Sequence, residues 1–478
     1  MSSPLTVVGR LLLTGATVAL PLLAQGQNTL SPQGAEFLFS DALPGDQAAP
    51  GLSLGTAGGC AVWQDNRPGW GIAARMLDAD GNPLGDPFRI NAAPASNLDK
   101  PQVAMLDGGG VAFVWQAGRA GFENTYARFR GADGSFTSGD VLVSKPLLST
   151  NRSSTVSWKV VRNNRVTVRK FRLVQNIEHR RDFNGGAVVS PLANGNVAVA
   201  YASYIRHCTN EPVQAGLIKF YGTQGVTNSV ITAKTRTLDQ MQDVHIRIFT
   251  PSGVSLGGEI VANQFTPYNQ RNPALAALPN GNFVAVWVSE NQDLSVSAVA
   301  SGTNRVDVYA RLFNASGLAL TGDVLVNDGT VTENATPAVA ALAGGGFRVV
   351  WSQRDSENAR SNGWDIVTRT FDALGTAVSV ATVVNTRTYG DQFAPKVASC
   401  PAGELIVWTS LGQDGSGEGV FGQWFSSGVP VGGEIPVNTT TAGRQYQQAV
   451  AAGPNNRVLV GWTGLNKGFG FDVFGQRY

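Results

Sequence analysis

The sequence predicts an all-β protein: a single seven-bladed β-propeller with four antiparallel strands per blade. Three observations carry this expectation. A short hydrophobic strand ending in a large aromatic recurs seven times, at Trp63, Trp115, Tyr201, Trp287, Trp351, Trp408 and Trp462. The same four-strand pattern surrounds each aromatic at a period of roughly fifty residues, which is the signature of a blade rather than of a helical repeat. The seventh unit stops after its third strand, and a matching fourth strand stands at the other end of the chain.

The elements follow in a fixed order. The aromatic strand opens after a tight turn, as in GGCAVW, NGNFVAVW and GGGFRVVW. Asn, Asp and Gly at such turns supply the positive φ that short hairpins need. A third strand comes next, clearest in YARLF (309–313), VTRTF (367–371) and FGQRY (474–478). A Gly-centred turn then leads to a closing strand such as GDVLVN (322–327) or GGEIPVN (432–438). Residues 34–40, GAEFLFS, align with GGEIPVN and are expected to close the last blade, covering a sheet edge that would otherwise invite aggregation.

Composition fits an exported all-β chain. Glycine is abundant at 57 of 478 residues, and no stretch has the periodicity of a long amphipathic helix. Residues 1–26 read as a signal peptide, with Arg10 ahead of an apolar core at 11–23 and small residues after it, leaving 27–478 as the propeller. No second hydrophobic stretch follows, so the mature chain is expected to carry no membrane span and to work at the cell surface, in the periplasm or outside the cell. Three cysteines, an odd number, leave at least one thiol without an intramolecular partner.

The long connections all fall on one rim. Residues 145–184 join the second blade to the third, and 203–243 interrupt the third, with shorter excursions at 288–306 and 352–364. Because scaffolds hold functional loops, the face over blades three to five is the expected working surface. The first insertion is a local positive island in a chain of net charge +2. It holds ten Lys or Arg between Lys145 and Arg181, against the single acid Glu178. Its centre reads as a basic hairpin turning at Asn163-Asn164, which sets Val161 opposite Val166 and Trp158 opposite Arg169. Trp158, Arg162, Arg165, Arg169 and Arg172 are therefore candidate binding residues for an anionic partner. The other reading has the hairpin pack on its own propeller or on a neighbouring subunit.

Other signals are weaker. The loops entering the first strands carry Gln47, Gln270, Gln392 and Gln445, with Tyr268, Tyr389 and Tyr446 nearby. They suit sugar binding at a channel mouth, though turn-capping by the Gln side chains is favoured. An arginine recurs in the third strand at Arg75, Arg128, Arg247, Arg311 and Arg369, replaced by Gln423 and Gln476, and reads as a link between blades. No zinc spacing, nucleophile elbow or phosphate loop is present, so no catalytic residue, metal or cofactor is assigned.

The segments QFAPKVASCPAGELIVW (392–408), VFGQWF (420–425) and GGEIPVN resemble the degenerate propeller units of large secreted bacterial proteins. The resemblance covers nearly all of 34–478 outside the two long insertions. It implies the fold and an extracytoplasmic setting, and no defined activity. The expectation is a non-catalytic binding or scaffold protein holding a protein subunit or an anionic polysaccharide on its loop-rich face. Nucleic acid is not expected as a partner. The alternative is a polysaccharide-acting enzyme, lyase or glycoside hydrolase, on the same scaffold.

Overall fold

The computed structural model describes residues 30–92, 97–118, 123–144, 150–162, 165–212, 233–292, 305–328, 332–355, 363–466, 468 and 470–478. Over 150–184 and 205–240, and at 355, it describes the backbone alone. The expected signal peptide at 1–26 and the hairpin turn at 163–164 lie outside the described residues. Among the described residues every regular element is a β-strand.

The strands form antiparallel ladders in which chain order equals spatial order, the pattern of a meander (Gln47–Gly55, Gly58–Asp65, Gly71–Leu77 and Pro83–Arg89 in the first). Four sheets have four strands. The eight-stranded sheet consists of two such units joined by one parallel bridge, Val306 to Glu333. The five-stranded sheet is the third unit with Thr150–Arg162 added at its edge. The architecture is propeller-like.

The recurring aromatics explain what holds neighbouring units together. Trp63, Trp115, Tyr201, Trp287, Trp351, Trp408 and Trp462 are all at most 1% exposed. Each sits in an apolar cluster that takes residues from two successive units, so the sheets bury their faces against one another. The Phe39, Leu459 and Val473 side chains of the last unit share such a cluster with Ala61, Trp63 and Ala73 of the first. Burying a large aromatic at each contact contributes several kcal/mol on the usual area scale, ~25 cal/mol per Å².

The chain ends meet as the repeat demands. Phe37 pairs with Gly475 and Leu38 with Phe474, antiparallel, on Gly470–Arg477. Phe39 is fully buried, and its amide donates to the Val473 carbonyl at 2.9 Å. The third-strand arginines also behave as links. The guanidinium of Arg75 donates to Phe39 O at 3.1 Å, Arg247 to Val143 O at 2.9 Å, Arg311 to Ala262 O at 2.9 Å and Arg369 to Val326 O at 2.9 Å. Each acceptor lies beside the outermost strand of the preceding unit. Gln423 and Gln476 instead bond within their own units, to Val431 O and Gly34 O. A buried ion pair, Arg348 to Glu404 at 3.4 Å, bridges the fifth unit to the sixth, where Gln423 makes no such link.

The long insertions continue the third unit's sheet. Its first strand runs Arg165–Pro191, its second Val197–Pro212 and its third Ala233–Phe249, all far longer than their counterparts. Trp158 pairs with Arg169 and Val161 with Val166, the register expected from the turn. The hairpin is thus an outgrowth of one blade rather than a separate loop. Cys60 and Cys400 are buried free thiols, and burial pushes the Cys60 pKa up to about 12, so it is inert.

Candidate functional site

The first strand of each unit lines the axis, and each breaks at the same place. One residue adopts positive φ there: Ala49, Lys100, Gly186, Asn272, Thr336, Ala394 and Gln447. The ladder to the second strand skips at every one of these points, which is a β-bulge. Pro follows in five of the seven, at Pro50, Pro101, Pro273, Pro337 and Pro395. A proline fits because the bulged position has no ladder partner for the N–H it lacks. The freed amides turn to the preceding unit: Ala49 N–H donates to Thr463 Oγ1 at 3.0 Å and Ala394 N–H to Ser352 Oγ at 3.0 Å.

The ring of bulges encloses a cavity of about 470 Å³ to which every first strand contributes. Two residues beyond the bulge the strand position is mostly small: Gly51, Val188, Ala274, Ala338 and Ala449. Gln102 and Lys396 depart from that pattern, and both line the cavity. Lys396 lines the cavity with its side chain open to solvent, and desolvation by the protein around it holds its ammonium below the usual lysine range. Lys100 and Arg271 complete the charged lining, which contains no carboxylate. Arg271 is held by Glu290 at 3.1 Å.

A carboxyl pair stands beside Lys100. Asp99 precedes the second unit's bulge, where other units carry Ala48, Gly185, Arg271, Ala335, Phe393 and Tyr446. Burial pushes its carboxyl above the usual aspartate range; Lys100 draws it partly back, and the charge of Glu123 raises it further. Asp99 Oδ1 is buried with no hydrogen-bond partner among the described residues. A carboxyl whose pKa is raised by burial and a neighbouring charge is the kind of group that serves as a general acid.

The remaining acids of the repeat have structural work. In the fourth strand, Asp140 accepts from the Ala92 amide, Asp323 from those of Gln264 and Phe265, Glu434 from Thr386 and Arg387, and Glu36 from Thr439 and Thr440. Each reaches the loop leaving the preceding unit. Glu259 of the third unit departs from this use. It accepts from the Tyr201 hydroxyl and lies 3.4 Å from His245 Nδ1, with the Tyr201 and His245 rings stacked at 5.7 Å.

Of the candidate binding residues singled out from sequence, only the three tyrosines have described side chains. For Trp158, Arg162, Arg165, Arg169 and Arg172 the backbone pairing alone is described. Tyr268 stacks on Phe265 with centroids 6.5 Å apart, Tyr389 is 82% exposed, and Tyr446 meets Phe471 edge-on at 5.8 Å. None of the three lines the cavity. The loop glutamines are caps: Gln47, Gln270, Gln392 and Gln445 are buried, and each donates to a carbonyl three residues back. Asp99, Glu123 and Lys396 were not picked out. Aligning the seven first strands would have exposed Asp99 and Lys396 as charges at positions otherwise mostly small or apolar.

Among solved structures, the chain is similar to a protein of unknown function from Dyadobacter fermentans (11% identity over 79% of this chain and 93% of that one, TM-score 0.44). It is similar also to an α-L-arabinanase of Penicillium chrysogenum (11%, 93% and 98%, 0.41) and to a sialidase of Streptococcus pneumoniae (9%, 94% and 70%, 0.42). No family model and no curated protein matches the chain. The expectation of a non-catalytic binding or scaffold protein is corrected here, because the similar structures of named activity are glycosidases. At such identity and TM-scores the likeness describes architecture. The chemistry rests on the residues of this chain.

Proposed function

We propose that the chain is an exported seven-bladed β-propeller that hydrolyses glycosidic bonds of a polysaccharide at its axial cavity. One observation carries the reading: the carboxyls Asp99 and Glu123 stand beside Lys100, which lines a cavity to which every first strand contributes. In this reading Asp99 donates its proton to the glycosidic oxygen as the bond to the sugar carbon breaks. The Glu123 carboxylate stabilises the developing oxocarbenium charge or activates water. Bulges positioned by seven packed strand units hold these groups on rigid elements, as a reacting geometry requires.

The test is release of reducing ends from a panel of neutral and acidic polysaccharides by the purified mature protein. Asp99→Asn is expected to lower kcat by about 10²–10⁴-fold with little change in KM, because an amide cannot supply the proton. Activity of the wild type should fall as pH rises through the elevated Asp99 pKa, since the acid is then spent. An Asp99→Asn variant with unchanged kcat on a substrate that the wild type cleaves would remove the assignment.

A further inference from the structure

The cavity carries more positive charge than a neutral sugar requires. Lys396 and Lys100 line it, and neither makes an ion pair or hydrogen bond with a described residue through its side chain. The lining holds no carboxylate, and Glu290 is already engaged by Arg271. Asp99, the acid closest in sequence, interacts with Lys100 but does not line the cavity. Cations gathered around one concave site without a carboxylate in its lining repel one another, so such a site gains from a bound anion. The position makes the point sharper. Five of the seven inner strands carry Gly, Ala or Val where the sixth carries Lys396, so the fold has no need of a long cationic side chain there.

The chain's basic island leads to the same place. Gly185 and Gly186 line the cavity, and the strand that contains them, Arg165–Pro191, also carries Arg165, Arg169, Arg172, Arg180 and Arg181 in its sequence. Basic residues on a strand that reaches a cation-lined cavity raise the local concentration of a polyanion near it.

From this charge distribution we infer that the substrate is an acidic glycan, with Lys396 receiving the carboxylate or sulfate of the sugar seated in the cavity. The inference rests on the hydrolase reading for the word substrate, and on the cavity alone for the binding. Lys396 acts here as a specificity residue, a point charge that accepts any anion of suitable size.

Equilibrium binding of three probes tests it: a galacturonic acid trisaccharide, its methyl ester and inorganic sulfate. The acid should bind at least ~10-fold tighter than its ester, which has nearly the same shape without the charge. Lys396→Met should bring acid and ester close to parity, while Lys396→Arg should retain the preference. Affinity for the acid should also fall as pH rises through the lowered Lys396 pKa. If only sulfate binds with Lys396 dependence, the anion is a sulfate ester rather than a uronate. Equal affinity for acid and ester, or a preference that survives Lys396→Met with sulfate binding unaffected, would overturn the inference. Cleavage of neutral glycans alone would sink it while sparing the hydrolase reading. Lys396-dependent binding without cleavage of any glycan would do the reverse.

Discussion

The two ends of the inner strands tell different stories. At one end lie near-copies of a single apolar turn: Ala277-Leu278-Pro279, Ala341-Leu342-Ala343, Ser399-Cys400-Pro401 and Ala452-Gly453-Pro454, around an apolar hollow of about 390 Å³. At the other end the backbone repeats while the side chains do not. All seven bulges share positive φ, yet they are built on Ala49, Lys100, Gly186, Asn272, Thr336, Ala394 and Gln447. Where residue and backbone repeat together, the repeat is packing. Where the backbone repeats and the residues diverge, packing leaves the residue free to set what the cavity presents. The buried aromatics, the arginine links and the acids of the fourth strand belong to the first class, and Asp99 and Lys396 to the second.

Three perturbations sharpen this contrast. The largest effect is expected from deleting residues 27–40. That removes the strand paired to Gly470–Arg477, the buried Phe39 and the Glu36 contacts to Thr439 and Thr440 together. The loss should exceed about 5 kcal/mol, comparable to the net stability of a domain, and expose an unpaired edge. Size exclusion and thermal melting would then report aggregation or an unfolded chain. A monomer with an unchanged Tm would mean that closure is dispensable. Next comes Trp287→Ala, at a repeated and fully buried position. It should cost about 3–5 kcal/mol in denaturant unfolding, because the emptied contact lies between two rigid sheets.

How much of this was legible follows from the same division. The sequence could be read wherever a residue type recurs in register. The aromatics, the tight turns, the arginine links, the capping glutamines and the split seventh unit were all visible as repeats. The axial cavity was not, because it draws one or a few residues from each unit, and in isolation most of those are an Ala, Gly or Pro that reads as filler. Attention went to the longest segments instead. The 145–184 and 203–243 insertions are conspicuous, but their strands extend the third unit's own sheet. Tyr268, Tyr389 and Tyr446 were plausible sugar platforms by residue type, yet each lies off the cavity wall, since its strand or loop directs it to a neighbour or to solvent. The informative signal was negative: a charge standing where the repeat expects a small side chain.

The smallest effect, and the one that bears most on the contrast, is expected at Lys396. Burial lowers its pKa in the folded state. Between that value and the ordinary lysine pKa the unfolded chain therefore binds the extra proton, and stability rises with pH through the window. Below the window Lys396 is charged in both states and the desolvation cost is fully present. Lys396→Met should thus stabilise the protein at neutral pH, by about 0.5–1 kcal/mol, a modest figure because the head group keeps cavity water. The gain should shrink as pH climbs through the window. Melting curves of the wild type and the variant across alkaline pH would show two lines converging. A repeated packing position can only lose stability when truncated, so Trp287→Ala and Lys396→Met should move Tm in opposite directions. A destabilised Lys396→Met would place Lys396 among the structural residues.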